Sequence, residues 1–528
     1  MSPDVAALLL ELGATEPVLP RGVLVPSMAG EAIGAPGEPA EPIYERAFRD
    51  DVQGNVIPGF NKDHQHFLFL TITDARRARS WLRGVAPQLA TMDDVLAFVR
   101  AHRSQRLRTG IREPKLSATW VNAAFSYAAI ATLAGKAEAE KFGDQSFRQG
   151  LAARSTFLGD PTSPEHEGHR SRWKVRDPDV LVTIAADEAR DLEDAVAELR
   201  ASVDGLRVVF EQRGDTLPGR LRGHEHFGFK DGISQPGVRG KVSSAPGDFI
   251  TPRYLAAGDP HARLFAKPGQ PLIWPGQFLL GEPRQHTQDL FAPAAAAANF
   301  PAWARRGSYL VIRRLRQDVE AFWTFVLDAA TAAGLEPIHF ASRLVGRWPS
   351  GAPVMRVPDT DDPALGGDEF ANNHFLFEDD TRPSVLQPIG GYGGDRYAAA
   401  RADVLGKVCP HSAHIRKVNP RDAGTDMGTP ADSLLRLMLR RGIPYGPPVI
   451  GVENPPLEQE RGLIFVGFAA TIEDQFEFIT RRWINSALHP RFGGRDPIIG
   501  ADREWVTPTG GGYFFAPPVS AIAGVLGA

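Results

Sequence analysis

His66-Phe-Leu-Phe-Leu-Thr-Ile-Thr73, followed at once by Asp74 and the run Ala75 to Leu82, decides the fold class. The apolar and β-branched content of the first part suits a buried strand. Asp74 suits the N-cap of a helix over 75–82, because its carboxylate can accept the free N–H groups of the first turn. The unit then recurs. Val180-Leu-Val-Thr-Ile184 predicts a strand, Asp187 to Leu199 a helix with apolar residues at helical spacing, and Leu206-Arg-Val-Val-Phe210 another strand. Leu116 to Leu133 is read as a helix. In the second half, Ser308 to Ile312 predicts a strand and Gln317 to Ala330 an amphipathic helix. Gly462 to Gly467 is a further strand and Ile472 to Ile484 a further helix. Strand–helix units that return in both halves imply two α+β domains of similar plan.

A chain of 528 residues exceeds the usual limit of a single hydrophobic core, so two domains also follow from length. Residues 1–45 are rich in Pro, Gly, Ala and Glu and read as an N-terminal arm. The first domain is assigned to 46–275 and the second to 276–528, with a Gly/Pro/Asp-rich insertion near 345–405. The break is set in the Pro-rich turns and the Ala294–Ala298 run of residues 255–305.

Composition narrows the classes of function. Hydrophobic residues make up 43% and charged residues 23%, the balance of an ordinary globular protein. The net charge of −4 lacks the basic footprint of a nucleic-acid binder. No stretch approaches the roughly 18 apolar residues that cross a bilayer. Cys409 is the sole cysteine, so no intrachain disulfide forms, and the N-terminus lacks the basic start of a secretory signal. The expectation is a cytoplasmic protein without a membrane span.

Three segments carry chemistry. Gly223-His-Glu-His-Phe-Gly-Phe-Lys-Asp-Gly-Ile-Ser-Gln-Pro-Gly237 places Asp231 in a glycine-bearing loop open to a flat ligand, although Asp-Gly is equally a common turn dipeptide. Cys409-Pro-His-Ser-Ala-His-Ile-Arg-Lys-Val-Asn-Pro-Arg421 sets His414 beside Arg416, Lys417 and Arg421. A neutral imidazole ligates haem iron and arginines suit haem propionates, but a lone histidine is more often structural. Leu437-Met-Leu-Arg-Arg-Gly-Ile-Pro-Tyr-Gly446 delivers Arg440 and Arg441 from what reads as a short helix end, where basic residues also simply complement the helix dipole.

Together these segments resemble the dye-decolourising peroxidases, in the larger subgroup of fungi and many bacteria. The family's Gly-x-x-Asp-Gly signature stands as Gly228-Phe-Lys-Asp231-Gly232, extended by Ile233-Ser-Gln-Pro236. Ala413-His-Ile-Arg-Lys-Val-Asn-Pro-Arg421 is similar to its haem-ligand segment, and Arg440 in Arg-Arg-Gly-Ile-Pro-Tyr-Gly to its distal arginine. Gln53 to Lys62, Pro275 to Gly281, Leu344 to Gly351 and Thr509 to Phe515 also match, in order, over nearly the whole chain.

The resemblance implies two ferredoxin-like domains, each an antiparallel sheet with helices, and one haem b per chain held mainly by the C-terminal domain. It assigns catalysis to Asp231 and Arg440 and axial ligation of iron to His414. The rest of the cofactor pocket goes to Arg416, Ile233, Leu463 and Phe465. His411 is a rival ligand. Asp496 is assigned as the carboxylate that bonds the proximal histidine, with Asp474, Asp502 and Glu504 as alternatives. Asp231 would carry a proton between the two oxygens of hydrogen peroxide while Arg440 stabilises developing charge. A carboxylate base, with a reference pKa near 4 against about 6.5 for histidine, implies an acidic activity optimum. Dyes, phenols, other aromatics and Mn²⁺ are the reductants implied, with no decisive Mn²⁺ cluster in the chain. A haem carrier or iron-releasing protein is the alternative on the same fold, and a haem-free scaffold a second.

Three further features stand apart. His64/His66 and His224/His226 share the spacing of some metal sites, though such pairs also simply share a strand face. Trp505, Tyr445 and Tyr513 could relay electrons to bulky reductants, or pack the core. Phe322 to Leu327 reads as core.

Overall fold

A computed structural model describes residues 1–14, 41–109, 116–160, 178–245, 247–256, 258–386, 394–500 and 505–528. The opening helix α1 (Pro3–Ala14) buries Val5 and Leu9 in a core cluster with Phe322 and Trp323. The first residues of the expected arm are therefore packed. Its middle, 15–40, lies outside the described residues.

To the main sheet the described residues of the first half supply β1 (His64–Ile72), β2 (Thr119–Phe125), β3 (Val180–Ala186) and β4 (Leu206–Asp215). Asp74 caps α2 (Ala75–Val85), accepting from the Arg77 N–H at 3.0 Å. Helix α3 (Ala189–Ser202) lays Leu192, Val196 and Leu199 on the same side of the sheet as α2. The expected helix over 116–133 is corrected. Its first part is β2, and only Tyr127–Leu133 is helical, capped by Ser126. Trp120 and Val121 favour the pleat, and β2 pairs with β3 from Thr119↔Ala186 to Phe125↔Val180.

The second half adds β5 (Ser308–Gln317), β6 (Leu439–Arg440), β7 (Ile443–Tyr445), β8 (Gly462–Ala469) and β9 (Val506–Ala516). Asp318 caps α4 (Val319–Ala333). The segment 472–484 is helical in two pieces, Ile472–Glu477 and Ile479–Ile484, wound with π rather than α periodicity. Strand β9 escaped the sequence reading because its Pro508 and Gly510–Gly512 resemble a turn. It is central nonetheless, and Gly511 runs so close to β5 that an added side chain would meet the Ile312 carbonyl. The helix end expected before Arg440 is a strand edge paired with β8.

Both halves are α+β, and they join edge to edge in one antiparallel sheet of order β6-β8-β5-β9-β2-β3-β1-β4, with β7 also on β8. The proposed break at 275/276 falls in the long connection between β4 and β5. The sheet curls until its ends approach: a Cβ on Gly214 in β4 would lie 2.5 Å from Ile443 in β7. Phe67, Phe69, Leu310, Ile312, Ile464 and Val466 fill the inside. Strand alternation sends the odd-numbered residues of β5 and β8 to the other face. Within the described residues of 345–405, Trp348, Val354, Met355, Phe375 and Phe377 form a core of their own with Cys409.

Candidate active site

A cavity of about 350 Å³ opens where the outward faces of β5 and β8 meet the loop 225–236 and the chain around His414. Leu463 and Phe465 line it from β8, and Ile233 from the loop. Asp231, His414 and Arg440 line it too, so three segments distant in sequence meet in one space.

His414 opens the short helix α5 (His414–Val418). Its Nδ1 lies 2.7 Å from Asp496 Oδ2, and the other Asp496 oxygen accepts the N–H groups of Ile498 (2.8 Å) and Ile499 (3.2 Å). Burial alone pushes the imidazole pKa down, but the charge and hydrogen bond of Asp496 more than offset this and hold it raised. Among the described residues Nε2 has no partner, which leaves it available to a metal. Asp474 is exposed and does not touch His414, while Asp502 and Glu504 lie outside the described residues. His411 is spent elsewhere, since its two ring nitrogens meet the carbonyls of Phe492 (2.9 Å) and Val404 (3.0 Å).

Asp231 sits on a loop that needs two left-handed glycines. Gly228 has φ 95°, with Ile450 packed where a side chain would be, and Gly232 has φ 77° with open space beside it. The Gly232 N–H donates to Asp231 Oδ1 at 2.6 Å, and Arg440 Nη1 stands 3.5 Å from the same oxygen. Arg440 is aimed by Nη2 on the Ser234 carbonyl (3.1 Å) and by Gln235, whose amide brackets the Arg440 backbone at 3.2 Å on both sides. Gln235 thus ties the loop to β6, a role its motif position did not reveal.

Arg416 requires a correction. It is 2% exposed, bonded to Asp403 and to the Cys409 carbonyl (2.7 Å), and off the cavity wall. A nearby carboxylate captured it. Arg421 and Arg347 do line the cavity, and they converge on Asn373 Oδ1 at 2.6 and 2.9 Å. Neither has a carboxylate partner among the described residues. Burial pulls Arg421 down to about 10, and burial with the neighbouring Arg421 charge pulls Arg347 down to about 9. Arg347 and Asn373 went unnoticed because nothing local marks a residue whose partner is more than twenty positions away.

These donors fit a haem. A histidine with one free ring nitrogen, apolar walls, and two buried guanidiniums lacking counter-ions match iron, macrocycle and propionates. The histidine pairs do not form metal sites. His64 and His66 meet Asp215 (2.7 Å) and Glu211 (3.1 Å), His226 bonds the Tyr445 carbonyl (2.9 Å), and His224 sits 3.2 Å from the Arg222 carbonyl. Among the described residues no group of three or more His, Cys, Asp or Glu could hold a metal ion. Trp505, Tyr445 and Tyr513 are all buried, so none presents a ring to surface reductants. Among the described residues no helix is long and apolar enough to cross a membrane.

Comparison with known proteins agrees with this construction. Residues 51–218 match the DyP dimeric alpha+beta barrel domain, and residues 378–521 match the Dyp-type peroxidase C-terminal domain. A dye-decolorizing peroxidase of Auricularia auricula-judae is 29% identical, with 100% of both chains covered. The structure of an ancestral D-type dye decolorizing peroxidase superposes with TM-score 0.71 at 29% identity, covering 91% of this chain and 99% of that one. A dye-decolorizing peroxidase in complex with 2,6-dimethoxyphenol superposes with TM-score 0.64 at 26% identity, over 91% and 99%. Fold, site and relatives together define a haem-dependent peroxidase. The chain belongs to the dye-decolourising peroxidase family.

Proposed function

We propose that this peroxidase reduces hydrogen peroxide at one b-type haem and draws the electrons singly from dyes, phenols or other aromatic reductants. One observation carries the reading: the Asp231–Arg440 pair lines the same cavity as His414, which Asp496 holds from behind. His414 would hold the iron through Nε2, while Arg347 and Arg421 would hold the propionates. Haem, when bound, supplies the redox chemistry that accepts oxidising equivalents from peroxide and passes them on.

The chain's own part is proton handling. Asp231 Oδ1 is engaged by Gly232 and Arg440, whereas Oδ2 has no hydrogen-bond partner among the described residues. Oδ2 is therefore the oxygen that takes a proton from one peroxide oxygen and returns it to the other, which leaves as water. Arg440, fixed by Ser234 and Gln235, keeps its guanidinium beside the negative charge that grows as the O–O bond breaks. Leu463 and Phe465 keep the cavity wall apolar.

A rapid-scan absorbance record of haem-loaded protein mixed with one equivalent of hydrogen peroxide tests this reading. The expected result is a fast change of the Soret band, reversed by an added dye or phenol. A Soret band that peroxide leaves unchanged would remove the peroxide chemistry and favour haem handling.

A further inference from the structure

Glu225 lies six residues before Asp231, and neither the family signature nor the mechanism above gives it a task. It lines the same cavity and is half-buried. Its carboxylate faces back into its own loop: one oxygen accepts the Phe227 N–H (2.8 Å) and the other the Phe229 N–H (2.9 Å). The amide of Gln317, at the end of β5, donates to the same carboxylate. Gln317 makes that contact while its buried Oε1 is left without a donor, so the contact with Glu225 sets the orientation of the amide.

The backbone closes the loop around this group. Glu225 N–H donates to the Phe229 carbonyl (3.0 Å), Gly228 N–H to the Glu225 carbonyl (2.9 Å), and Asp231 N–H to the Gly223 carbonyl (2.9 Å). Outside, Phe227 stacks on Phe322 and Phe229 on Trp323, with ring centroids 4.3 and 6.3 Å apart. Aromatic stacking seats the loop on α4, but stacked rings slide. The carboxylate is what fixes its register, because it pins two alternate N–H groups and β5 at one point. Burial, against the opposing pull of the hydrogen bonds from Phe227, Gln317 and Phe229, pushes Glu225 up to about 7. A carboxyl so desolvated, with no basic residue bonded to it, is costly unless its site has a use.

We propose that Glu225 is a positioning residue for the peroxide step: it staples the loop 225–231 to β5 so that Asp231 stands at its working place in the cavity. The proposal rests on the reading of Asp231 as the proton carrier.

Glu225→Gln tests it, since the amide keeps the volume but offers only one accepting oxygen. Four haem-loaded proteins are compared: wild type, Glu225→Gln, Asp231→Asn and the double variant. The readouts are the rate of the peroxide-driven Soret change, the KM for a dye, and amide hydrogen exchange at Phe227 and Phe229. Small misplacements of a catalytic group cost up to about 100-fold, so Glu225→Gln is expected to slow the Soret change about tenfold or more, with the dye KM unchanged. Exchange at Phe227 and Phe229 should quicken, and Glu225→Gln should cost nothing further once Asp231 is Asn. A rate within about twofold of wild type overturns the proposal, as does the same fold-loss in the Asp231→Asn background. Unchanged exchange at Phe227 and Phe229 also overturns it. Asp231→Asn at wild-type speed would instead sink the reading of Asp231, and a slow Glu225→Gln beside it would show that Glu225 does not act through that residue. Should Glu225→Gln fail to fold, Gln317→Leu removes the β5 arm and leaves both backbone contacts. A smaller loss in the same direction supports the staple, and a wild-type rate overturns it.

Discussion

Two charge pairs serve the cavity, one with both members on its wall and one with only His414 there, and they are built in opposite ways. His414 and Asp496 stand 2.7 Å apart, with the Asp496 side chain wholly buried and its second oxygen fixed by two backbone N–H groups. Asp231 and Arg440 stand 3.5 Å apart, and their side chains keep 41% and 32% of their exposure. A pair whose carboxylate is buried and hydrogen-bonded through both oxygens holds one geometry, whereas an exposed pair contributes little to stability. The first therefore serves as a fixed anchor. The second is kept open, with one carboxylate oxygen free, as a group that must accept and release protons requires. The difference separates holding a cofactor from working on a substrate.

The largest effect should come from the open pair. Asp231→Asn should slow the peroxide-driven Soret change by about 10² to 10⁴ while leaving haem binding intact, as stopped-flow absorbance would show. A rate unchanged from wild type would erase the functional half of the contrast. Asp496→Asn addresses the anchor. It should cost roughly 10- to 100-fold in haem retention or activity, followed by transfer of haem to a competing binder. Full retention and activity would mean that the anchor is not needed.

The arginines sharpen the anchor further. Arg421→Met removes a cavity-lining cation and should weaken haem affinity by about tenfold, the scale of one charge-assisted hydrogen bond. Arg416→Met should leave haem affinity alone and lower the melting temperature instead, because Arg416 serves Asp403. A haem titration of both variants decides between the two cations.

The smallest effect concerns pH. Burial raises Glu225 to about 7, well above the ordinary carboxyl range, so the fold favours its protonated form. The stability this gives is complete at acid pH and is lost as pH rises through about 7. Glu225→Gln, which cannot ionise, should therefore gain in melting temperature relative to wild type between about pH 5 and about pH 8. A difference that stays constant, or moves the other way, would place the Glu225 carboxyl in its ordinary range.

Local sequence determined much of this protein. Strand β1, the Asp74 cap and α2 were legible because side-chain alternation and capping act over a few residues. Asp231, Arg440, His414, Leu463 and Phe465 were named through the family resemblance, and the folded chain brings all five to one cavity. Reading failed where meaning depends on a distant partner. Thr119–Phe125 passed for helix until its pairing with β3 was seen, and β9, with its proline and glycines, was not read as a strand until β5 lay against it. Arg416 and Arg421 look alike five residues apart. Only the folded chain brings Asp403 to one and the cavity to the other, because a charge takes its role from what it meets across space.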